Sequence, residues 1–166
     1  MVEVKQAALL SGHQNPVYAV EASQKPGIIF TAGNDKGVVE WSLKKMDFIK
    51  VLMPVKSSVY ALHCPEVAPV LAVGERSGAI SLFDFNEQKV IARFELPIFG
   101  LSSATHKGEL LASSEDGTVS VINLETAELI YNFKVSGDTV RCISVNPNES
   151  LVAFGCKYNT IKIFSL

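Results

Sequence analysis

Two short phrases recur along the chain in register, and fixed-period self-similarity constrains a fold more than local residue preference does. The first reads VYAV from Val17, VYAL from Val59, IFGL from Ile98 and VRCI from Val140, at intervals of 42, 39 and 42 residues. The second reads VVEWSL with Trp41, ISLFDF with Phe83, VSVINL with Ile122 and IKIFSL with Phe164, at the same three intervals. Within each unit, short runs rich in Val, Ile, Leu and Phe alternate with turn sequences such as QKPG, GNDKG, ERSG, SEDG and NPNE. Such runs read as strands joined by tight turns. No segment keeps a 3.6-residue apolar stripe for the length of a typical helix, so the expectation is four strands per unit and essentially no helix.

Many of these strands are apolar at successive positions, which calls for a sheet covered on both faces. Small twisted meanders stacked face to face around an axis form a β-propeller. The expected fold is therefore all-β: four four-stranded antiparallel blades at about 11–53, 54–95, 96–134 and 135–166, within a single domain spanning 1–166.

Composition narrows the function classes. Fifteen Lys and Arg stand against seventeen Asp and Glu, for a net charge of −2. That balance supplies no field for nucleic acid phosphates or anionic lipid. The small basic groups Lys44, Lys45 and Lys50, and Lys157 with Lys162, lie among acidic and apolar neighbours and read as solvated surface. The sequence has no apolar run long enough to span a membrane, and MVEVKQAALLSG is too acidic for a signal peptide, so a cytoplasmic protein is expected. Cys64, Cys142 and Cys156 are widely spaced, with no CxxC or HxxxH, and read as reduced core residues without a metal. GxSxG, HExxH and GxxxxGK[ST] are absent, so neither a catalytic residue nor a cofactor is assigned.

The residues of each unit resemble the WD-repeat (WD40) family, whose repeats carry a GH pair early and a WD pair at the end of the third strand. Unit one matches best, with Gly12 and His13 at the GH position, Thr31 on the second strand, Asp35 in the tight turn, and Trp41 with Ser42 at the WD position. The resemblance implies a hydrogen-bonded structural tetrad of Trp41, Thr31, His13 and Asp35. The later units depart: Phe83 and Asp84, Ile122 and Asn123, and Phe164 and Ser165 fill the WD position, and no other tetrad is complete. Glu40 occupies the slot held by Leu82, Val121 and Ile163, so its carboxylate is expected at a blade boundary or an assembly contact.

By its position, the leading segment 2–10 is the outer strand of a fourth-type blade, in the same chain or in another. Four blades alone would each turn about 90°, against about 51° or 45° in rings of seven or eight, opening wedges that Val and Leu cannot fill. The chain is thus expected to be half of a seven- or eight-bladed ring. A homodimer or the missing half of a longer propeller would cover its flanks.

In the resembled family the position just after the first anchor opens onto the narrow face around the channel. Here it holds Tyr18, Tyr60, Phe99 and Arg141, residue types favoured at interface centres, which either contact a partner or fill the channel mouth. Asn34, Glu75, Glu115 and Lys157 precede the tight-turn position and are expected on the same face. The expected function is a non-enzymatic scaffold binding a protein or peptide there. The alternative is a propeller enzyme or small-ligand binder using channel-facing residues.

Overall fold

The computed structural model describes residues 3–96, 103–146, 148 and 150–166. Fifteen strands fall into four sheets whose strand order follows the sequence, and no helix occurs among the described residues. The first sheet comprises β1 (Val17–Ala22), β2 (Ile28–Gly33), β3 (Gly37–Ser42) and β4 (Asp47–Pro54). The second is built from β5 (Val59–His63), β6 (Val70–Glu75), β7 (Ala79–Asp84) and β8 (Lys89–Glu95). The third holds β9 (Ser103–His106), β10 (Glu109–Ser113), β11 (Thr118–Asn123) and β12 (Glu128–Lys134). The fourth has three strands, β13 (Val140–Asn146), β14 (Leu151–Cys156) and β15 (Thr160–Ser165). Every pairing is antiparallel.

Burial explains the lack of alternation in the central strands. All six residues of β6 are buried, as are the first five of β7, because another sheet covers each face of the second sheet. Three apolar cores lie between neighbours. Phe30, Val38 and Met53 meet Val59, Leu71 and Val73 between sheets one and two. Ile80 and Leu82 meet Leu110 and Ile122 between sheets two and three. Leu111 and Val119 meet Val152 and Phe154 between sheets three and four. Four sheets joined by three cores make an open arc, in which β1, β5, β9 and β13 pack along the inside.

The two ends of the arc carry apolar side chains in solvent. On the outer flank of sheet one, Phe48 is 50% and Val51 55% exposed; on β15, Ile161 is 75% and Ile163 65% exposed. The three cysteines are free, as expected, yet only Cys64 is buried. Cys142 is exposed on the fourth sheet, where no further sheet covers it. The segment 3–13 carries no strand, and β15 is left as an edge.

Candidate interaction face

The innermost strands share one irregularity. The β1–β2 register slips between Val17 and Ala19, β5–β6 between Val59 and Ala61, and β13–β14 between Val140 and Cys142. The residues left out of the ladder are Tyr18, Tyr60 and Arg141, all exposed. A bulge places one extra residue in a strand and turns its side chain away from the regular pleat, which is how a sheet aims a residue at something other than its own core. Tyr18 and Tyr60 lie edge to face with ring centroids 5.3 Å apart, so blades one and two present a joint aromatic surface. Phe99 lies outside the described residues.

The backbone beside the bulges is pinned in the same way in three sheets. Asn34 donates its N–H to Pro16 O (3.1 Å), Arg76 to Ser58 O (2.7 Å) and Lys157 to Thr139 O (2.9 Å). Each bond ties the turn after the second strand to the residue preceding the inner strand. Ser58 Oγ also donates to Asn34 Oδ1 across blades one and two (2.6 Å). Gly33 is required at this crossing, because a Cβ there would sit 2.0 Å from Pro16 O.

The turn residues Asn34, Glu115 and Lys157 are exposed beside the bulges; Glu75 is not. Glu75 is 0% exposed and pairs with Val59, as Gly33 pairs with Val17 and Cys156 with Val140. It is the last residue of β6, and Arg76 takes the turn position that the sequence reading gave to Glu75. Its carboxylate accepts N–H bonds from Lys56 (2.9 Å) and Ser57 (2.8 Å) and pairs with Arg93 Nη1 at 2.6 Å. Arg93 donates in turn to Ser81 Oγ (3.0 Å). A buried carboxylate is tolerable only with this kind of compensation, and here the compensation fixes the loop that leads to Tyr60.

In the first blade the equivalent loop is held by the side chains expected for the tetrad. Trp41 Nε1–H donates to Thr31 Oγ1 (2.6 Å), Thr31 Oγ1 meets His13 Nε2 (2.6 Å), and His13 Nδ1 meets Asp35 Oδ2 (2.5 Å). Asp35 also accepts from Gln14 N–H and Asn15 Nδ2. Burial pushes the Asp35 carboxyl up, but the bonds from Asn15, His13 and Gln14 outweigh it and hold the group below its ordinary value. The third blade uses Asp116, which accepts from Ser114 Oγ, Thr118 N and Thr118 Oγ1. Burial again opposes ionisation there, and those bonds together with Lys134 bring the carboxyl down to about 2. Three blades thus stiffen one end of the molecule with an acidic side chain, Asp35 and Asp116 from the same turn position and Glu75 from the end of its second strand. Glu40, the boundary carboxylate, pairs with Lys50 at 3.7 Å, and Lys50 also donates to Gln88 of the second sheet.

This arrangement of meanders has known counterparts. The model of the WD domain, G-beta repeat, matches residues 4–42 and 127–165. The chain carries WD repeats at these two stretches. This WD-repeat chain is 26% identical over 136 residues to eukaryotic translation initiation factor 3 subunit I of Aspergillus oryzae, covering 74% of this chain and 41% of that one. It is 25% identical over 161 residues to the ribosome biogenesis protein YTM1 of Meyerozyma guilliermondii, covering 96% of this chain and 34% of the relative. It therefore spans less than half the length of either. Among solved structures, the computationally designed Ika4 protein superimposes with a TM-score of 0.82 at 19% identity, covering 98% of this chain and 99% of that one. The RRP9 WD40 repeats give 0.81 at 19% identity, covering 94% of the WD-repeat chain and 50% of theirs. Among the described residues, no helix is long and apolar enough to cross a membrane, and no three His, Cys, Asp or Glu gather as metal ligands would.

Proposed function

We propose that the chain is a protein-interaction scaffold that takes a protein or peptide partner on the face where Tyr18, Tyr60 and Arg141 emerge. The observation that carries this reading is the bulge repeated in three innermost strands, each time at an exposed aromatic or guanidinium side chain. Rigidity matters to such a face, because side chains already held in place lose less entropy on binding. The pinned turns and the buried Glu75 supply it. Exposed Asn34, Arg76, Glu115 and Lys157 would form its polar rim, and Phe99 would extend the cluster into the third blade. The relatives named above support a scaffold: their names refer to a translation initiation factor and to ribosome biogenesis, not to a reaction. The net charge of −2 favours a protein partner over nucleic acid or membrane, and the cytoplasm is the compartment proposed.

The test is cross-linking in cells followed by mapping of the linked residues, with Tyr18→Ala, Tyr60→Ala and Arg141→Ala compared singly and together. Cross-links clustered on these loops, and capture that falls at least about tenfold in the triple variant while its melting temperature holds, would support the reading. Undiminished capture by the triple variant would overturn it.

A further inference from the structure

We infer that the partner segment taken over blades one and two is an acidic peptide, its carboxylates meeting Lys36, Lys56 and Arg76 and an apolar side chain covering the Tyr18–Tyr60 pair. The inference rests on the interaction face proposed above and adds the chemistry of what that face takes.

Three loops meet beside the two tyrosines, and each carries an exposed cation. Lys36 lies in the turn between β2 and β3, Lys56 in the connection from β4 to β5, and Arg76 in the turn between β6 and β7. Hydrogen bonds join these loops into one surface. Val55 N–H donates to Lys36 O (3.0 Å), Lys56 N–H to Glu75 Oε2 (2.9 Å) and Arg76 N–H to Ser58 O (2.7 Å). Ser58 immediately precedes the strand that carries Tyr60, and the Asn34 bond to Pro16 ties the Lys36 turn to the strand that carries Tyr18. The backbone under all three cations is therefore fixed relative to the aromatic pair.

The charge of this surface is not balanced from within. Its two acidic side chains are taken up by the loops themselves: Asp35 accepts from Asn15 and Gln14 and meets His13, and the fully buried Glu75 is held by Arg93 and the backbone of Lys56 and Ser57. Among the described residues, no hydrogen bond or ion pair engages the side chains of Lys36, Lys56 or Arg76. Ser58 Oγ occupies Asn34 Oδ1, which leaves that exposed amide with its N–H groups to offer. The free polar tips over blades one and two are thus predominantly donors, three of them charged. Such a surface asks for a ligand made of anionic acceptors.

The basic surface is local. The chain as a whole has a net charge of −2, and the third blade shows an exposed Glu115 and a half-buried Asp138 at the same end. A basic island on a mildly acidic molecule steers a short acidic segment to one place, whereas a nucleic acid carries its charge on past the island. One cation on each of three loops suits single carboxylates along an extended segment. A doubly charged phosphate is better served by several donors converging on one point. Tyr18 and Tyr60, 48% and 37% exposed and set edge to face, leave apolar ring surface open beside the charges. A Leu or Phe of the same peptide would bury it.

The experiment uses the full chain as bait for a library of random short peptides. Selection should enrich peptides in which Asp or Glu flank a Leu, Ile or aromatic residue. Binding of an enriched peptide, followed by fluorescence anisotropy, should weaken as salt is raised and should fall about tenfold when Lys36→Ala, Lys56→Ala and Arg76→Ala are combined. Lys36→Glu with Arg76→Glu should reverse the preference toward the same peptide with Lys in place of its acidic residues, which a misfolded chain would not do. A consensus without acidic residues, no enrichment, undiminished binding by the triple alanine variant, tighter binding of single-stranded oligouridine, or a requirement for phosphoserine would each overturn the inference. Selection and the salt series use the unaltered chain, so they decide even where a variant fails to fold. Loss of capture in the Tyr18, Tyr60 and Arg141 variants with a neutral consensus would leave the face standing and remove only its acidic ligand; undiminished capture there would remove the face.

Discussion

Thr31 Oγ1 is the hub of the first blade, because the Trp41 indole and the His13 ring both reach it. Thr31→Val keeps the shape and strands a buried indole N–H, so it should cost about 1–3 kcal/mol, read from the denaturant midpoint. Glu75→Ala should cost more, about 3–5 kcal/mol, because it leaves Arg93 and two backbone N–H groups without their acceptor. Acid should weaken the fold through Asp116. Its carboxyl sits at about 2 against an ordinary 3.8, so the stabilisation is complete above about pH 4 and is lost as pH falls through 2. Asp116→Asn should flatten that limb of a stability-against-pH curve. The tetrad residues were legible in the sequence as residue types at set positions. Glu75 was not, because GERSG begins one residue earlier in its hairpin than GNDKG, so that Glu75 is the counterpart of Gly33 and Arg76 that of Asn34. In a structure of period two, that single step turns a side chain from solvent to core.

At the scale of the strand, the hydrophobic runs and turn sequences mapped onto the described strands, except that the leading segment expected as an outer strand carries none. Uninterrupted apolar runs in β6 and β7 marked sheets buried on both faces, and both strands are buried there. The inner-strand bulges left no compositional trace, since a skipped residue shows only in the pairing register. The substitution that best tests the strand architecture is Leu82→Ala in β7, at the core between sheets two and three. It should cost about 2–5 kcal/mol, measured by thermal or denaturant melting, because neighbours on both faces of the sheet limit how far the cavity can relax.

For the whole molecule, the repeat interval made the radial stacking of sheets legible. What covers the open flanks was not legible, because an apolar flank specifies burial without naming what buries it. The bulges carry a consequence at this scale. A residue outside the ladder owes nothing to its neighbours' pairing, so the identities at positions 18, 60 and 141 are free to drift while the framework stays put. On the interaction face proposed above, a change of these three letters would alter what is recognised with little risk to folding.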